Sequence, residues 1–170
     1  MVGCSKLLTC LFAGLALCAG AEAQERTGCV IFDELLAAAP SGFEDLRGEL
    51  IPGTSNGYVS KKMIPGMTCA ISPGEASAFV CYGAPQTEDN ARGAYEARIS
   101  RLRTCFVGWD EAPWLDVQGP IQTADSLRLI ARSDGGFLSI GAILAFEEVD
   151  GAIEWRVGFG VLSKPEDMAV

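Results

Sequence analysis

The chain has 170 residues, a net charge of −9 and no histidine. An acidic surface repels phosphate backbones, so nucleic acid is not an expected partner. Without histidine, Ser-His-Asp triads, Cys-His pairs and histidine-ligated metal sites are all excluded. We therefore expect no metal and no cofactor, and the chemistry that remains open to the chain is that of carboxylates.

The N-terminal segment predicts a secretory signal peptide, residues 1–23. Lys6 precedes an apolar run of 14 residues, and Ala21 and Ala23 supply the small side chains that a signal peptidase reads. The run is too short to span a bilayer as a permanent helix, and we expect no membrane span after processing. The prediction is an exported protein, periplasmic or secreted, that begins at Gln24. The alternative is a retained N-terminal anchor.

Residues 24–170 are expected to form a single α+β domain, because a chain of this length can bury its own core. A first helix is predicted over residues 28–39, where apolar side chains recur at helical spacing before Pro40. Short apolar runs cut by Pro-Gly steps then predict three strands, at residues 58–64, 67–72 and 77–83.

The second helix has the clearest signals in the sequence. Thr87 is a favourable N-cap, acidic residues follow it, and arginines occupy the last turns, as the helix dipole favours. Its predicted buried stripe comprises Ala91, Ala94, Tyr95, Ile99, Leu102 and Phe106, with Cys105 at the edge.

A loop at residues 108–120 and three further strands complete the predicted fold. Asp150-Gly151 is a strong hairpin signal between two of these strands. The fold class is therefore an antiparallel sheet of about six short strands with two main helices on one face, in the order α-βββ-α-βββ and stapled by disulfides. The last three strands are predicted at residues 125–132, 137–146 and 152–162.

Four of the seven cysteines lie beyond the predicted signal peptide. An even number in an exported chain predicts disulfides, and no two have the C-x-x-C spacing of a redox or zinc site. Four cysteines allow three connectivities. The cysteines concerned are Cys29, Cys69, Cys81 and Cys105.

Local patterns favour the pairs Cys69–Cys81 and Cys29–Cys105. A five-residue loop at 73–77 places Cys69 opposite Cys81 in a hairpin, whereas a two-residue turn would break that register. Cys29 and Cys105 lie on apolar faces of two helices that we expect on the same sheet. The alternative pairing links each helix cysteine to a strand cysteine.

The candidate binding residues lie in the 108–120 loop: Trp109, Asp110, Glu111 and Trp114. Tryptophans are typical anchors of protein interfaces, and they also stack on sugar rings. Two carboxylates hydrolyse glycosides when they are held roughly 5–9 Å apart. The structural alternative is that solvated acids flank tryptophans that close the core edge.

Two glycines of the last strand raise a separate question. Gly158 and Gly160 alternate with large apolar residues and leave one face of the strand without side chains. The bare face would let a ligand or a second segment of chain approach closely, or it would serve the twist of the sheet.

The leading functional hypothesis is a non-catalytic protein-interaction module of the cell envelope, of an accessory, inhibitor or immunity type. It depends on the missing catalytic constellations, the acidic charge and the two loop tryptophans. Its expected partner is a protein in the envelope or outside the cell. One alternative is a carboxylate hydrolase or glycan binder that uses Asp110 and Glu111 with the tryptophans. Another is a small-molecule binder in the cleft between helix and sheet.

Overall fold

A computed structural model describes residues 29–114, 122–133 and 136–164. The chain divides into two compact units, residues 1–34 and 35–170, and only the start of a helix is described in the first. The predicted signal peptide lies outside the described residues, and the predicted domain limits stay a prediction. None of the helices in these ranges has the length and apolarity that a bilayer crossing requires.

The described residues form two α-helices, two short 3-10 helices and eight strands. Helix α1 spans Val30–Ala38 and helix α2 spans Glu88–Cys105, with the 3-10 turns Ala39–Ser41 and Glu44–Leu46 after α1. The strands are β1 Arg47–Leu50, β2 Tyr58–Ser60, β3 Met67–Ser72, β4 Ser77–Gly83, β5 Asp110–Ala112, β6 Gln122–Ser133, β7 Gly136–Val149 and β8 Ala152–Lys164.

All eight strands belong to one antiparallel sheet, in the spatial order β1-β2-β3-β4-β8-β7-β6-β5. The α+β class is confirmed, but the predicted six strands in the order α-βββ-α-βββ are wrong. Each half of the chain has four strands instead of three. The additional strands, β1 and β5, are four and three residues long and form the two edges of the sheet. Such short edge strands pair on one side only and carry little apolar alternation.

The two hairpins with the strongest sequence signals form as predicted. Cys69 lies opposite Cys81, and Ser72 lies opposite Ala78, so the connecting loop is residues 73–77. At the β7–β8 turn, Asp150 has φ 52° and Gly151 has φ 79°. Positive φ at both central residues is the geometry for which Asp-Gly is preferred.

One face of the sheet carries the core and is covered by α2, which lies across β6, β7 and β8. We call this the helix face. The predicted α2 stripe is buried except for Ala94, which is exposed. From the sheet, the fully buried side chains on this face include Ile71, Phe79, Leu129, Ile140, Leu144, Phe159 and Val161.

The disulfide Cys69–Cys81 lies within the helix face, with an S–S distance of 2.00 Å. Both cysteines are buried, so the bond joins β3 to β4 inside the core. This is the pairing that the sequence favoured. Cys29 and Cys105 are also disulfide-bonded, and the bond between them stays a prediction.

Candidate functional site

Strand β5 separates the two carboxylates that the sequence singled out. Glu111 lies opposite Leu129, a core residue of the helix face. Asp110 lies opposite Ile130 on the other side of the sheet, which we call the second face. Consecutive residues of a strand point to opposite sides. The structure therefore does not bring Asp110 and Glu111 together as a pair over one substrate.

The two loop tryptophans are likewise on different faces. Trp109 packs on Phe106 at the end of α2, with ring centroids 4.8 Å apart. Trp114 lies on the second face, and its backbone N–H donates to Ser126 Oγ at 3.1 Å. Both side chains are half-buried by their own chain. They therefore do not form the single aromatic platform that a sugar-stacking site needs.

The glycines of the second face are explained by the aromatic rings that lie on them. A Cβ at Gly160 would meet Trp114 Cζ2 and Cη2 at 3.2 Å, and one at Gly141 would meet Trp114 Cε3 at 2.8 Å. A Cβ at Gly158 would meet Tyr82 Cε1 at 2.8 Å. The part of the sheet that these glycines leave without side chains is therefore covered by the rings of Trp114 and Tyr82.

A groove between α2 and β6 opens on the helix face. Its volume is about 550 Å³, within the range of small-ligand sites. Its lining mixes apolar side chains with acidic, basic and hydroxyl groups. The lining residues are Tyr95, Glu96, Ile99, Ser100, Arg103, Thr104, Asp125, Ser126 and Leu127.

A bulge in β6 places Asp125 in this groove. Thr123 pairs with Ala145, but Asp125 pairs with Leu144, so β6 has one extra residue at this point. Without the insertion Asp125 would face the same side as Thr123; with it, Asp125 shares the side of the core residue Leu144. Asp125 Oδ1 accepts a hydrogen bond of 2.7 Å from the Ser126 N–H.

Tyr95 of α2 also lines the groove and interacts with Asp125. The Tyr95 side chain is 7% exposed, and its hydroxyl interacts electrostatically with the Asp125 carboxylate. Burial raises the pKa of Tyr95 well above 10; the negative charge of Asp125 adds to the shift, and Arg103 opposes it. Tyr95 thus keeps its proton over the range in which proteins work, and the Asp125 side chain beside it is exposed.

The arginine of the groove is already paired. Arg103 Nε and Nη2 donate to Glu111 Oε1 and Oε2 at 2.8 and 2.9 Å, a two-point contact. This ion pair lowers the pKa of Glu111. Glu111 balances Arg103, whereas the carboxylates of Glu96 and Asp125, which also line the groove, form no ion pair with a basic side chain in the described part of the chain. We call these two the uncompensated charges of the groove.

Sequence reasoning missed these groove residues. Tyr95 was assigned to the buried stripe and Asp125 to the start of a strand, and the two are separated by 30 positions. The available signal was the hydroxyl of Tyr95, since a buried tyrosine generally finds a polar partner.

In the described ranges, no group of three or more acidic, cysteine or histidine side chains is arranged to hold a metal ion. Comparisons with known protein families, with curated proteins and with solved structures find no match for this chain.

Replacing Tyr95 with phenylalanine is expected to lower the free energy of unfolding by about 1 kcal/mol near pH 7, through loss of the interaction between its hydroxyl and Asp125. The pKa of Tyr95 is raised in the folded state. Its contribution is therefore complete below the unfolded pKa of about 10 and is lost as the pH rises through the folded value. Urea unfolding of both proteins from pH 7 to 11.5 should show the difference shrinking only above pH 10. A difference that is constant throughout would show that the pKa of Tyr95 is not raised in the folded protein.

Proposed function

We propose that the protein is an exported, non-catalytic binding domain, and that the groove between α2 and β6 receives a basic segment of a partner protein. The observation that carries this proposal is the composition of the groove. Glu96 and Asp125 bring uncompensated negative charge to a surface that also contains Ile99 and Leu127.

This combination suits a lysine or arginine side chain. Such side chains have an apolar stem and a charged head, and they bury the stem against apolar surface while the head keeps polar partners. Ile99 and Leu127 would contact the stem, and Glu96 and Asp125 would contact the head. The net charge of −9 would steer a basic partner toward the domain as a whole.

A small cationic ligand is the second candidate, because the groove volume of about 550 Å³ also fits a small molecule. The geometry gives no comparable support to the hydrolase alternative. Asp110 and Glu111 lie on opposite faces of the sheet, and Glu111 is occupied by Arg103.

The double variant Glu96→Gln/Asp125→Asn is expected to weaken partner binding at least tenfold, because it removes both uncompensated charges. The oxidised protein is immobilised, partners are captured from an envelope fraction of its source, and the captured protein is competed with hexalysine. Capture by the parent protein should also fall as salt is raised.

The matched control is Glu49→Gln/Glu75→Gln. It removes the same charge from β1 and from the β3–β4 loop, where both side chains are exposed. Equal weakening by the two double variants would show that total charge, not the groove, is responsible. Binding of free lysine without any captured protein would favour the small-ligand candidate.

A further inference from the structure

A second cavity of about 470 Å³ lies beside the turn at Pro65-Gly66. Most of its lining is apolar, and Met63 at this site is 67% exposed. Three polar side chains with hydrogen-bond donors, Thr68, Tyr82 and Arg156, also line it. The apolar and backbone contributions come from Met63, Ile64, Pro65, Gly66, Met67, Gly83, Ala84 and Pro85, with Thr68 beside them.

Arg156 lines this cavity, and one of its guanidinium N–H groups is available to a ligand. Its Nη2 donates to Glu154 Oε2 at 2.9 Å. Its Nε is buried and has no hydrogen-bond partner among the described residues. Because the Nε atom is buried, a ligand oxygen in the cavity cannot reach it. The guanidinium donor open to a ligand is Nη1, which makes no hydrogen bond with the described residues.

The charge of Arg156, in contrast, is already balanced. Glu154 forms an ion pair with it, and both side chains are about one-third exposed, at 30% and 33%. An incoming carboxylate would gain the Nη1–H donor but would lie close to the negative charge of Glu154. A neutral acceptor gains the same hydrogen bond without this repulsion.

Tyr82 supplies a second donor. Its ring lies against Gly158, where a Cβ would come within 2.8 Å of Cε1. Burial raises the pKa of Tyr82, so its hydroxyl keeps its proton. The cavity thus combines a mostly apolar lining with a small number of hydrogen-bond donors, which is the usual pattern of small-molecule sites.

We propose that this cavity binds a small, neutral, mainly apolar molecule through a carbonyl oxygen that accepts a hydrogen bond from Arg156, with the Tyr82 hydroxyl as the second donor. The site is separate from the α2–β6 groove and does not depend on the function proposed for that groove. The ligand class is that of ketones, esters and amides with an aliphatic chain.

The test is a titration of the full oxidised protein with 2-octanone, octanoate and octylammonium, followed by amide chemical shifts. 2-Octanone should bind saturably and shift the amides of Gly66 and Gly83, which line the cavity. Octylammonium, which offers only donors, should bind at least fivefold more weakly. Octanoate should also bind more weakly than the ketone. Tighter binding of octanoate, or shifts elsewhere only, would overturn the proposal.

Variants separate the hydrogen bond from the charge. Arg156→Gln should weaken 2-octanone binding roughly tenfold, whereas Arg101→Gln, which removes an exposed arginine of α2, should leave it unchanged. Glu154→Gln should strengthen octanoate binding several-fold and barely affect the ketone. Met63 is exposed and lies outside the core, so Met63→Ser should not affect stability but should weaken the binding of all aliphatic probes. Unchanged ketone binding in Arg156→Gln would also overturn the proposal.

Discussion

Gly141→Ala is expected to lower the free energy of unfolding by about 3 kcal/mol, at the upper end of the usual cost of overpacking. A Cβ at this position would press on the Leu127 carbonyl oxygen and would lie 2.8 Å from both Arg128 Cα and Trp114 Cε3. Two of these neighbours are backbone atoms of β6, which is paired with β7 along most of its length and cannot move locally. Urea unfolding measures the loss.

The same substitution at Gly93 is the matched control. Gly93 lies within α2, is exposed, and has no heavy atom within 4 Å of a built Cβ. There, alanine should stabilise the protein by about 0.5–1 kcal/mol, because glycine is a poor helix former. Opposite signs for the two changes are the expected result. Near-UV circular dichroism should change in Gly141→Ala, since Trp114 must move. If Gly141→Ala is as stable as the parent, Trp114 does not lie on the sheet as described.

Removing the Cys69–Cys81 disulfide is expected to cost about 3 kcal/mol, from the loop-closure entropy of a bond between residues 12 positions apart. The change is Cys69→Ala/Cys81→Ala, and urea unfolding gives both the free energy and its dependence on denaturant. If the bond acts on the unfolded chain, that chain expands without it and the m-value rises. A loss of stability at constant m-value would instead assign the effect to lost packing in the core.

The Cys69→Ala/Cys81→Ala variant also tests the predicted Cys29–Cys105 disulfide. Only Cys29 and Cys105 then remain beyond the predicted signal peptide. Both are disulfide-bonded in the structure. A thiol assay of the denatured, unreduced monomer should therefore find no free thiol. One or two free thiols would contradict the predicted Cys29–Cys105 bond.

The sequence was informative where one local rule decides the outcome. The alternation of β8 predicted which residues share the core face, because a strand has a period of two. The Pro73–Ser77 loop predicted the Cys69 register, since loop length sets which residues pair across a hairpin. Asp150-Gly151 predicted the last turn for the same reason.

The candidate site was much less accessible, because its geometry depends on contacts between distant segments. Strand β5 is the tripeptide Asp-Glu-Ala, which has no pattern that marks a strand. Its formation is what places Asp110 and Glu111 on opposite faces. Asp125 enters the groove only through the bulge in β6, and nothing in the local sequence indicates which residue of α2 will lie above it.

The position of β8 has a consequence for the way the chain folds. Strand β8 is the last described strand along the chain, yet it lies in the interior of the sheet, between β4 and β7. Among the described strands, its pairing with β4 is the only link between the two four-stranded halves of the sheet. Ser77 pairs with Ser163 and Tyr82 with Gly158, so the pairing of β4 with β8 brings together residues that are far apart along the chain. Sheets with such non-local pairing fold slowly. Until residues 152–164 are available, β4 exposes an edge without its partner strand, and a nascent chain should be prone to association through that edge.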